Sequence, residues 1–170
     1  MINDIYYHGS KTVGITKLKI NRVVDNPFGP AVYLTKDPVV ADCYVRSSGV
    51  IYEVRIKGNM QFVINLDKSF RKQTTEAKEV ITKTIKSLNM SFYDVTSYSI
   101  RELLHQNDCS KTEVNNNLAR FGIWLLYGRL SAMEESGLMD RGVQYAVIEE
   151  SALNIVNETD YYSIVAKNES

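Results

Sequence analysis

Strand patterns at both ends of the chain enclose a middle third patterned as helix, and this arrangement strongly constrains the fold. Residues 50–57 alternate between apolar and polar side chains, as in a strand with one buried face. Between residues 77 and 88, apolar side chains recur at spacings of three, four and seven, which predicts one buried helix face. Strands at both ends and helices between them predict an α+β chain whose terminal strands share one small split sheet.

The other strands are predicted from short β-patterned runs. They are expected at residues 4–8, 31–35, 61–65, 143–148, 153–156 and 161–165. Residues 10–29 show no strong period and are predicted to form a loop.

The helices are predicted from capping signals. Asp37 followed by Pro38 starts a helix to about residue 46, because aspartate caps helices and proline suits their first position. Capping boxes at residues 99–102 and 110–113 start two further helices. The middle of the chain, residues 66–138, is therefore predicted to be helical.

Length and charge restrict the function classes. The 170 residues suit one domain, residues 1–170, and 44% hydrophobic with 24% charged residues is a globular composition. The 20 basic and 20 acidic side chains give zero net charge, which argues against a protein that binds polyanions in bulk. The balance hides an asymmetry, because residues 1–86 carry 14 basic and 8 acidic side chains and the rest carry 6 and 12.

The sequence predicts a cytoplasmic protein without a membrane segment. Its N-terminus lacks the basic and apolar regions of a secretory signal. The longest apolar run, Ile123 to Tyr127, is far shorter than the ~18 residues of a membrane span. Cys43 and Cys109 are expected to be free thiols, and two histidines without metal-binding spacing predict no metal cofactor.

The first candidate binding segment, His8-Gly9-Ser10, closes the first predicted strand. Glycine has no side chain, so its backbone can approach a ligand closely. The histidine and the serine can hydrogen-bond ribose hydroxyls. A histidine in an ordinary turn is the structural alternative.

Two further segments place aromatic and amide side chains in predicted strands. Tyr33 ends a run that begins at Gly29, and Tyr44 follows eleven residues later. Strand–turn–helix geometry would bring the two tyrosines together, where they can sandwich a flat heterocycle. Gln144 is an uncharged amide among the apolar residues of the strand at 143–148. Taken singly, these residues also suit ordinary core, rim or edge positions.

In this order, the motifs resemble the His-Tyr-Glu branch of the ADP-ribosyltransferase superfamily, which includes diphtheria toxin and the poly(ADP-ribose) polymerases. Residues 49–60 are similar to that branch's strand after the second tyrosine, and residues 144–153 are similar to its last signature strand. The likeness covers about residues 5–62 and 140–156 and leaves residues 66–138 unmatched. It implies an α+β fold with a split antiparallel sheet core and an inserted helical middle segment.

The resemblance implies a site that binds NAD as a substrate. His8 would hydrogen-bond the adenosine-side ribose with help from Ser10, and the backbone of Gly9 would hold the nicotinamide carboxamide. Tyr33 and Tyr44 would bracket the nicotinamide ring, whose positive charge their π faces favour. Pinning the ring exposes C1′ of its ribose to attack. Catalysis of this kind consists mainly of positioning and electrostatic stabilisation.

Gln144 stands where the family has its catalytic glutamate, so the implied catalytic residues are His8, Tyr33 and Gln144. A carboxylate there would hold the ribose 2′-hydroxyl and offset the positive charge that develops on the sugar. Replacing its charge by a neutral amide should slow the chemical step by roughly 10²–10³. Chain elongation needs that carboxylate, so the implied activity is mono-ADP-ribosylation.

The carboxylates nearest in the sequence are poorly placed to replace the missing one. Glu150 is expected on the same strand face, six residues and about 20 Å away, and Glu149 on the opposite face. Asp140 precedes the strand and could fold back towards the site, and a carboxylate of the substrate could also supply the missing charge. A second departure is Ala41, where the polymerase branch usually has a serine, and it should weaken NAD binding by about 1 kcal/mol.

The implied function is a mono-ADP-ribosyltransferase that modifies a protein or a nucleic acid, RNA or DNA. It resembles the toxin of a toxin–antitoxin or phage-defence system, so an antitoxin protein is an expected partner. The alternatives are a catalytically weak or inactive module that binds NAD or ADP-ribose, and an NAD glycohydrolase. A hydrolase built on His8 with Cys43 or Ser10 lacks an acid partner and a nucleophile-elbow pattern.

Four basic residues follow the His-Gly-Ser motif in the predicted loop. They are Lys11, Lys17, Lys19 and Arg22. They could meet the phosphates of NAD or of a nucleic-acid acceptor, or they could simply face solvent.

Overall fold

A computed structural model describes residues 4–22, 26–45, 49–90, 100–105, 109–130 and 142–168 of the chain. Within them the strands are β1 Tyr6–Ser10, β2 Val32–Thr35, β3 Val50–Ile56, β4 Val63–Asn65, β5 Leu125–Arg129, β6 Val143–Val147 and β7 Leu153–Thr159. The α-helices are α1 Pro38–Val45, α2 Thr75–Ser87, α3 Ile100–His105, α4 Lys111–Arg120 and α5 Tyr161–Asn168.

The described strands form one mixed sheet in the order β4-β5-β6-β2-β1-β3-β7. Neighbouring strands are antiparallel except β4 and β5, which are parallel. Sheet and helices together give a mixed α/β architecture that is compatible with the predicted α+β class. β1 and β2 share one register pair, Tyr7 opposite Thr35, so the link between the two halves of the sheet is narrow.

Buried apolar clusters cover both faces of the sheet. On one face, Ile81 of α2 and Leu118 of α4 pack in one buried cluster with Ala146 of β6. On the other face, Leu18 from the loop of residues 11–22 packs in a second cluster with Leu34 of β2. This loop is therefore a structural layer of the protein, anchored by apolar side chains.

Two helix starts predicted from capping signals are confirmed. The Asp37 side chain accepts a hydrogen bond from the Val39 amide over 2.9 Å, at the start of α1. At α4, the Ser110 hydroxyl accepts from the Glu113 amide and the Glu113 carboxylate accepts from the Ser110 amide, which completes a capping box. Residue 99, in the other predicted box, lies outside the described residues.

Two predicted elements are wrong. The predicted helical middle is interrupted, because α4 ends at Arg120 and Gly122 then adopts a left-handed backbone with φ of 106°. The chain turns there and enters the sheet as β5. The strand predicted at residues 161–165 is helix α5, which Asp160 caps by accepting from the Ser163 amide over 2.9 Å.

Smaller shifts affect several boundaries. The strand predicted at residues 61–65 starts at Val63, because residues Met60–Phe62 form a 3₁₀ turn capped by Asn59. β1 extends to Ser10 and so includes the whole His-Gly-Ser motif. None of the helices among the described residues has the length and apolar character that a bilayer crossing requires.

Candidate functional site

A cavity of about 430 Å³ opens where β1, β2 and α1 meet the loop of residues 11–22. Its volume lies within the range of small-molecule sites. All six residues that the sequence predicts for the site line it: His8, Gly9, Ser10, Tyr33, Tyr44 and Gln144. The fold therefore brings together side chains that are up to 136 positions apart in the sequence.

The His8 imidazole is held against the neighbouring strand. Its Nδ1 lies 2.9 Å from the backbone oxygen of Tyr33. A carbonyl oxygen only accepts, so Nδ1 carries the proton and Nε2 keeps its lone pair in the neutral ring. Burial lowers the pKa of His8 below its ordinary value of 6.5, although the bond to the Tyr33 carbonyl opposes this shift. At neutral pH the ring is uncharged, and Nε2 suits a ligand hydroxyl as an acceptor.

Gly9 allows helix α1 to lie directly on strand β1. A Cβ atom at this position would collide with the carbonyl oxygen of Ala41 and crowd Val45. The sequence predicts that this glycine serves ligand approach, and the structure gives it a packing reason as well. Next to it, the Ser10 hydroxyl accepts a hydrogen bond from the Thr12 amide over 3.1 Å.

The Tyr33 side chain fastens the turn that precedes β2. Its hydroxyl donates to the Gly29 carbonyl and accepts from the Phe28 amide, both over 2.8 Å. Burial raises the pKa of the Tyr33 hydroxyl well above its ordinary value, so it stays protonated. The Phe28 ring stacks on the Tyr33 ring with centroids 6.1 Å apart. The hydroxyl is thus committed to the turn, and what Tyr33 can offer a ligand is its ring.

Helix α4 holds the same turn from the other side through Asn115. This buried amide donates to the carbonyls of Phe28 and Pro30 over 2.9 and 3.1 Å. Gly29 between them has φ of 81°, and a Cβ there would lie 2.8 Å from the Asn115 amide nitrogen. Sequence reasoning missed Asn115. Its signal is a polar residue three positions before Leu118, on the buried face of an amphipathic helix.

Tyr44 projects from α1 at the rim of the cavity. It is 41% exposed, whereas Tyr33 is only partly exposed. The Tyr44 hydroxyl adds a small electrostatic contribution to the raised pKa of Tyr33. An exposed ring together with a partly buried one suits a site in which one wall is fixed and the other faces solvent.

Gln144 lies deep in the site with 1% of its surface exposed. On β6 it pairs with Thr35 of β2 on one side and with Gly128 of β5 on the other. Thr35 also lines the cavity, and sequence reasoning missed it. Burial of this kind suits a neutral amide, because an ionised carboxylate loses much more solvation.

The carboxylates considered as replacements for a glutamate do not line the cavity where the structure describes them. β6 ends at Val147, so Glu149 and Glu150 lie beyond the strand and not on its faces as predicted. The Glu149 carboxylate accepts from the Ser151 amide, and that of Glu150 accepts from the Ile20 amide. Asp140 lies outside the described residues.

The cavity wall is positively charged among the residues that the structure describes. Lys11 and Lys19 line it, together with Asn21, and no described aspartate or glutamate does. Arg22 instead lines a separate cavity of about 220 Å³, and Lys17 lines neither. The four basic residues of the predicted loop therefore do not share one environment, since two line the large cavity and two do not.

This geometry gives little support to the alternative of a hydrolase built on His8. Cys43 is exposed on α1 and does not line the cavity. Ser10 does line it, but the Nδ1 atom of His8 is bonded to a backbone carbonyl, so no carboxylate orients the ring. The described residues also contain no cluster of three or more histidine, cysteine, aspartate or glutamate side chains that could hold a metal ion.

Comparisons with known proteins add no relative. The chain matches no protein-family model, and no curated protein or solved structure is significantly similar to it.

Proposed function

We propose that this chain is an NAD-dependent mono-ADP-ribosyltransferase with the split-sheet core of that superfamily. The observation that carries the proposal is that His8, Gly9, Ser10, Tyr33, Tyr44 and Gln144 line one cavity. They belong to sequence motifs that lie in distant segments of the chain. The narrow link between β1 and β2 beside this cavity is in keeping with a split sheet.

In the proposed complex, the ring of Tyr33 and the exposed ring of Tyr44 hold the nicotinamide between them. Neutral His8 accepts a hydrogen bond from a ribose hydroxyl through Nε2. The amide oxygen of Gln144 accepts from the 2′-hydroxyl of the nicotinamide ribose. These contacts fix the ribose so that its C1′ atom is open to an acceptor.

The bond from C1′ to the nicotinamide nitrogen then breaks, and its electron pair leaves with nicotinamide. A nucleophilic atom of the acceptor forms the new bond to C1′ and releases its proton to solvent. Gln144 orients the ribose but brings no negative charge to offset the charge that develops on the sugar. The reaction is therefore slower than with a carboxylate and stops after one ADP-ribose unit.

The acceptor class is tested by incubating the protein with labelled NAD and a cell extract, followed by separate digestion with protease and with nuclease. Release of the label by one digestion identifies a protein or a nucleic-acid acceptor. The variant His8→Ala should transfer no label. Absence of both label transfer and nicotinamide release in the native protein would refute the proposed activity.

A second candidate is a module that binds NAD or ADP-ribose without turnover. The absence of any described carboxylate from the cavity lining favours it. It predicts NAD binding without nicotinamide release. Nicotinamide release without label transfer would instead identify an NAD glycohydrolase.

We further propose a cytoplasmic toxin or phage-defence role with a dedicated antitoxin protein. Expression in a bacterial host should arrest growth when the native chain is used and not when His8→Ala is used. Equal growth with both would contradict the toxin role and leave the transferase activity to the label experiment.

A further inference from the structure

The loop of residues 11–22 forms a wall with two different sides. Near its end the chain runs beside Ala31, where the Asn21 amide donates to the Ala31 carbonyl over 3.2 Å. Alternate residues of an extended chain face opposite sides. Lys19 and Asn21 accordingly line the large cavity, whereas Ile20 and Arg22 line the smaller one.

This wall is held in place along its length. The Glu158 carboxylate accepts from the Gly14 amide over 2.7 Å, and the Tyr52 hydroxyl accepts from the Ile15 amide over 3.0 Å. Leu18 is 4% exposed within the apolar layer behind the sheet. The Glu150 carboxylate accepts from the Ile20 amide over 2.9 Å. Lys11 and Lys19 therefore project from a backbone whose position is already fixed.

The charges of these two lysines are not balanced inside the cavity. Neither ammonium group forms an ion pair with a described carboxylate, and no described carboxylate lines the cavity. The neighbouring His8 is neutral and Gln144 is an amide, so the described wall carries two positive charges. Such a wall favours a ligand that carries two negative charges between an aromatic group at one end and a polar group at the other.

We propose that Lys11 and Lys19 bind the diphosphate of a nucleotide in this cavity, and that Lys17 and Arg22 take no part. The identification of that nucleotide as NAD rests on the proposed function; the diphosphate chemistry does not. Lysine suits this role because its ammonium is a compact charge on a long stem that can reach either phosphate. The cationic loop thus serves the small ligand, and a nucleic-acid backbone is the competing occupant.

The test compares ligands with and without phosphates. Affinities for NAD, ADP-ribose and phosphate-free nicotinamide riboside are measured calorimetrically with the native protein, Lys11→Gln, Lys19→Gln and the double variant. Lys17→Gln is the matched control, because it removes the same charge from the same loop but lines neither cavity. Thermal denaturation of each variant checks that folding is unchanged.

Each single substitution at Lys11 or Lys19 should weaken binding of NAD and ADP-ribose about tenfold, and the double variant about a hundredfold. Affinity for nicotinamide riboside, and all affinities of Lys17→Gln, should stay within about twofold of native.

An equal loss of affinity for nicotinamide riboside would overturn the diphosphate assignment, as would unchanged NAD and ADP-ribose affinity in the double variant. Lysine-dependent binding of a single-stranded oligonucleotide with no effect on either nucleotide would assign the wall to a nucleic-acid acceptor instead. Lysine-dependent binding of ADP-ribose without any cleavage of NAD would refute the transferase activity and support the diphosphate site.

Discussion

A buried amide at position 144 determines what chemistry the cavity can support. Gln144 can accept a hydrogen bond from a ribose hydroxyl, but it cannot neutralise a positive charge on the sugar. The described part of the cavity wall supplies no carboxylate for that purpose. Replacing the amide NH2 group by an oxygen, as in Gln144→Glu, is therefore the most direct probe of the proposed mechanism.

The substitution Gln144→Glu should accelerate nicotinamide release from NAD by roughly 10²–10³, because a charge-assisted hydrogen bond and a nearby negative charge both stabilise the transition state. Chromatography of free nicotinamide measures the rate. Gln144→Ala, which also removes the orienting oxygen, should be slower than the native protein. A Gln144→Glu variant no faster than native would contradict the assigned position of the reacting ribose.

His8 should make folding stability depend on pH in one direction. Its pKa is lowered in the folded protein from an ordinary value of 6.5. Above 6.5 the ring is neutral in both states, and its contribution to stability is complete. As the pH falls below 6.5, the unfolded chain binds a proton that the folded protein resists, so the free energy of unfolding decreases.

Urea unfolding between pH 5 and 8 measures this effect. His8→Gln should lose part of the decrease, because glutamine does not titrate. A steeper decrease in the variant than in the native protein would contradict the lowered pKa of His8.

At the scale of the elements, the close contact between α1 and β1 shapes the site. Gly9→Ala places a methyl group against the Ala41 carbonyl, so α1 must move away from the strand. Overpacking of this kind costs about 1–3 kcal/mol of unfolding free energy. Chemical denaturation measures the loss.

Ser10→Ala is the matched control for this prediction, since the Ser10 hydroxyl accepts a solvent-exposed hydrogen bond from the Thr12 amide. It should change stability by well under 1 kcal/mol. Full native stability of Gly9→Ala would show that α1 tolerates the shift and that Gly9 is kept for its backbone alone.

Local signals predicted the elements whose ends are fixed locally. The Asp37-Pro38 start of α1 and the capping box of α4 depend on side chains within four positions of one another, so the sequence contains the whole interaction. β5 depends on its neighbours β4 and β6, which are distant in sequence, and its apolar residues fit a buried helix or a buried strand equally well. The order of the strands could not be predicted for the same reason.

In the site as well, the sequence predicted some features, and those that depend on contacts between distant residues could not be predicted. Motif order was enough to select six residues that line one cavity. It could not reveal that the hydroxyl of Tyr33 is committed to the turn at Gly29, or that Asn115 of α4 holds the carbonyls of that turn. Nor could it separate Lys19 from Arg22, because the separation depends on which side of an extended chain faces which cavity.

For the whole molecule, the zero net charge conceals an uneven distribution of charge along the chain. The first 86 residues carry six more basic than acidic side chains, and they contain both lysines of the cavity wall. The acidic remainder of the chain contributes Glu150 and Glu158, which hold the wall from behind through its amides. Acidic residues of the second half thus hold the backbone of the 11–22 loop, and Lys11 and Lys19 of that loop line the cavity.

Binding of NAD should therefore stabilise the whole fold. At a concentration of about 100 times Kd, a ligand that binds only the folded state adds about 2.7 kcal/mol to the free energy of unfolding. For a chain of this size this corresponds to a rise in Tm of about 5–10 °C. Thermal denaturation with and without NAD measures it, with the Lys11→Gln, Lys19→Gln double variant as control. A native Tm that does not respond to saturating NAD would contradict the cavity as an NAD site.

The way in which the loop of residues 11–22 is attached determines which of its residues can be substituted without loss of folding. Leu18 belongs to the apolar layer behind the sheet, so its replacement would disturb folding. Lys11 and Lys19 project from the same backbone and line the cavity. Residues of the loop that face the cavity can therefore be exchanged without disturbing the apolar layer. We expect related chains that bind different ligands to differ in these residues of the loop.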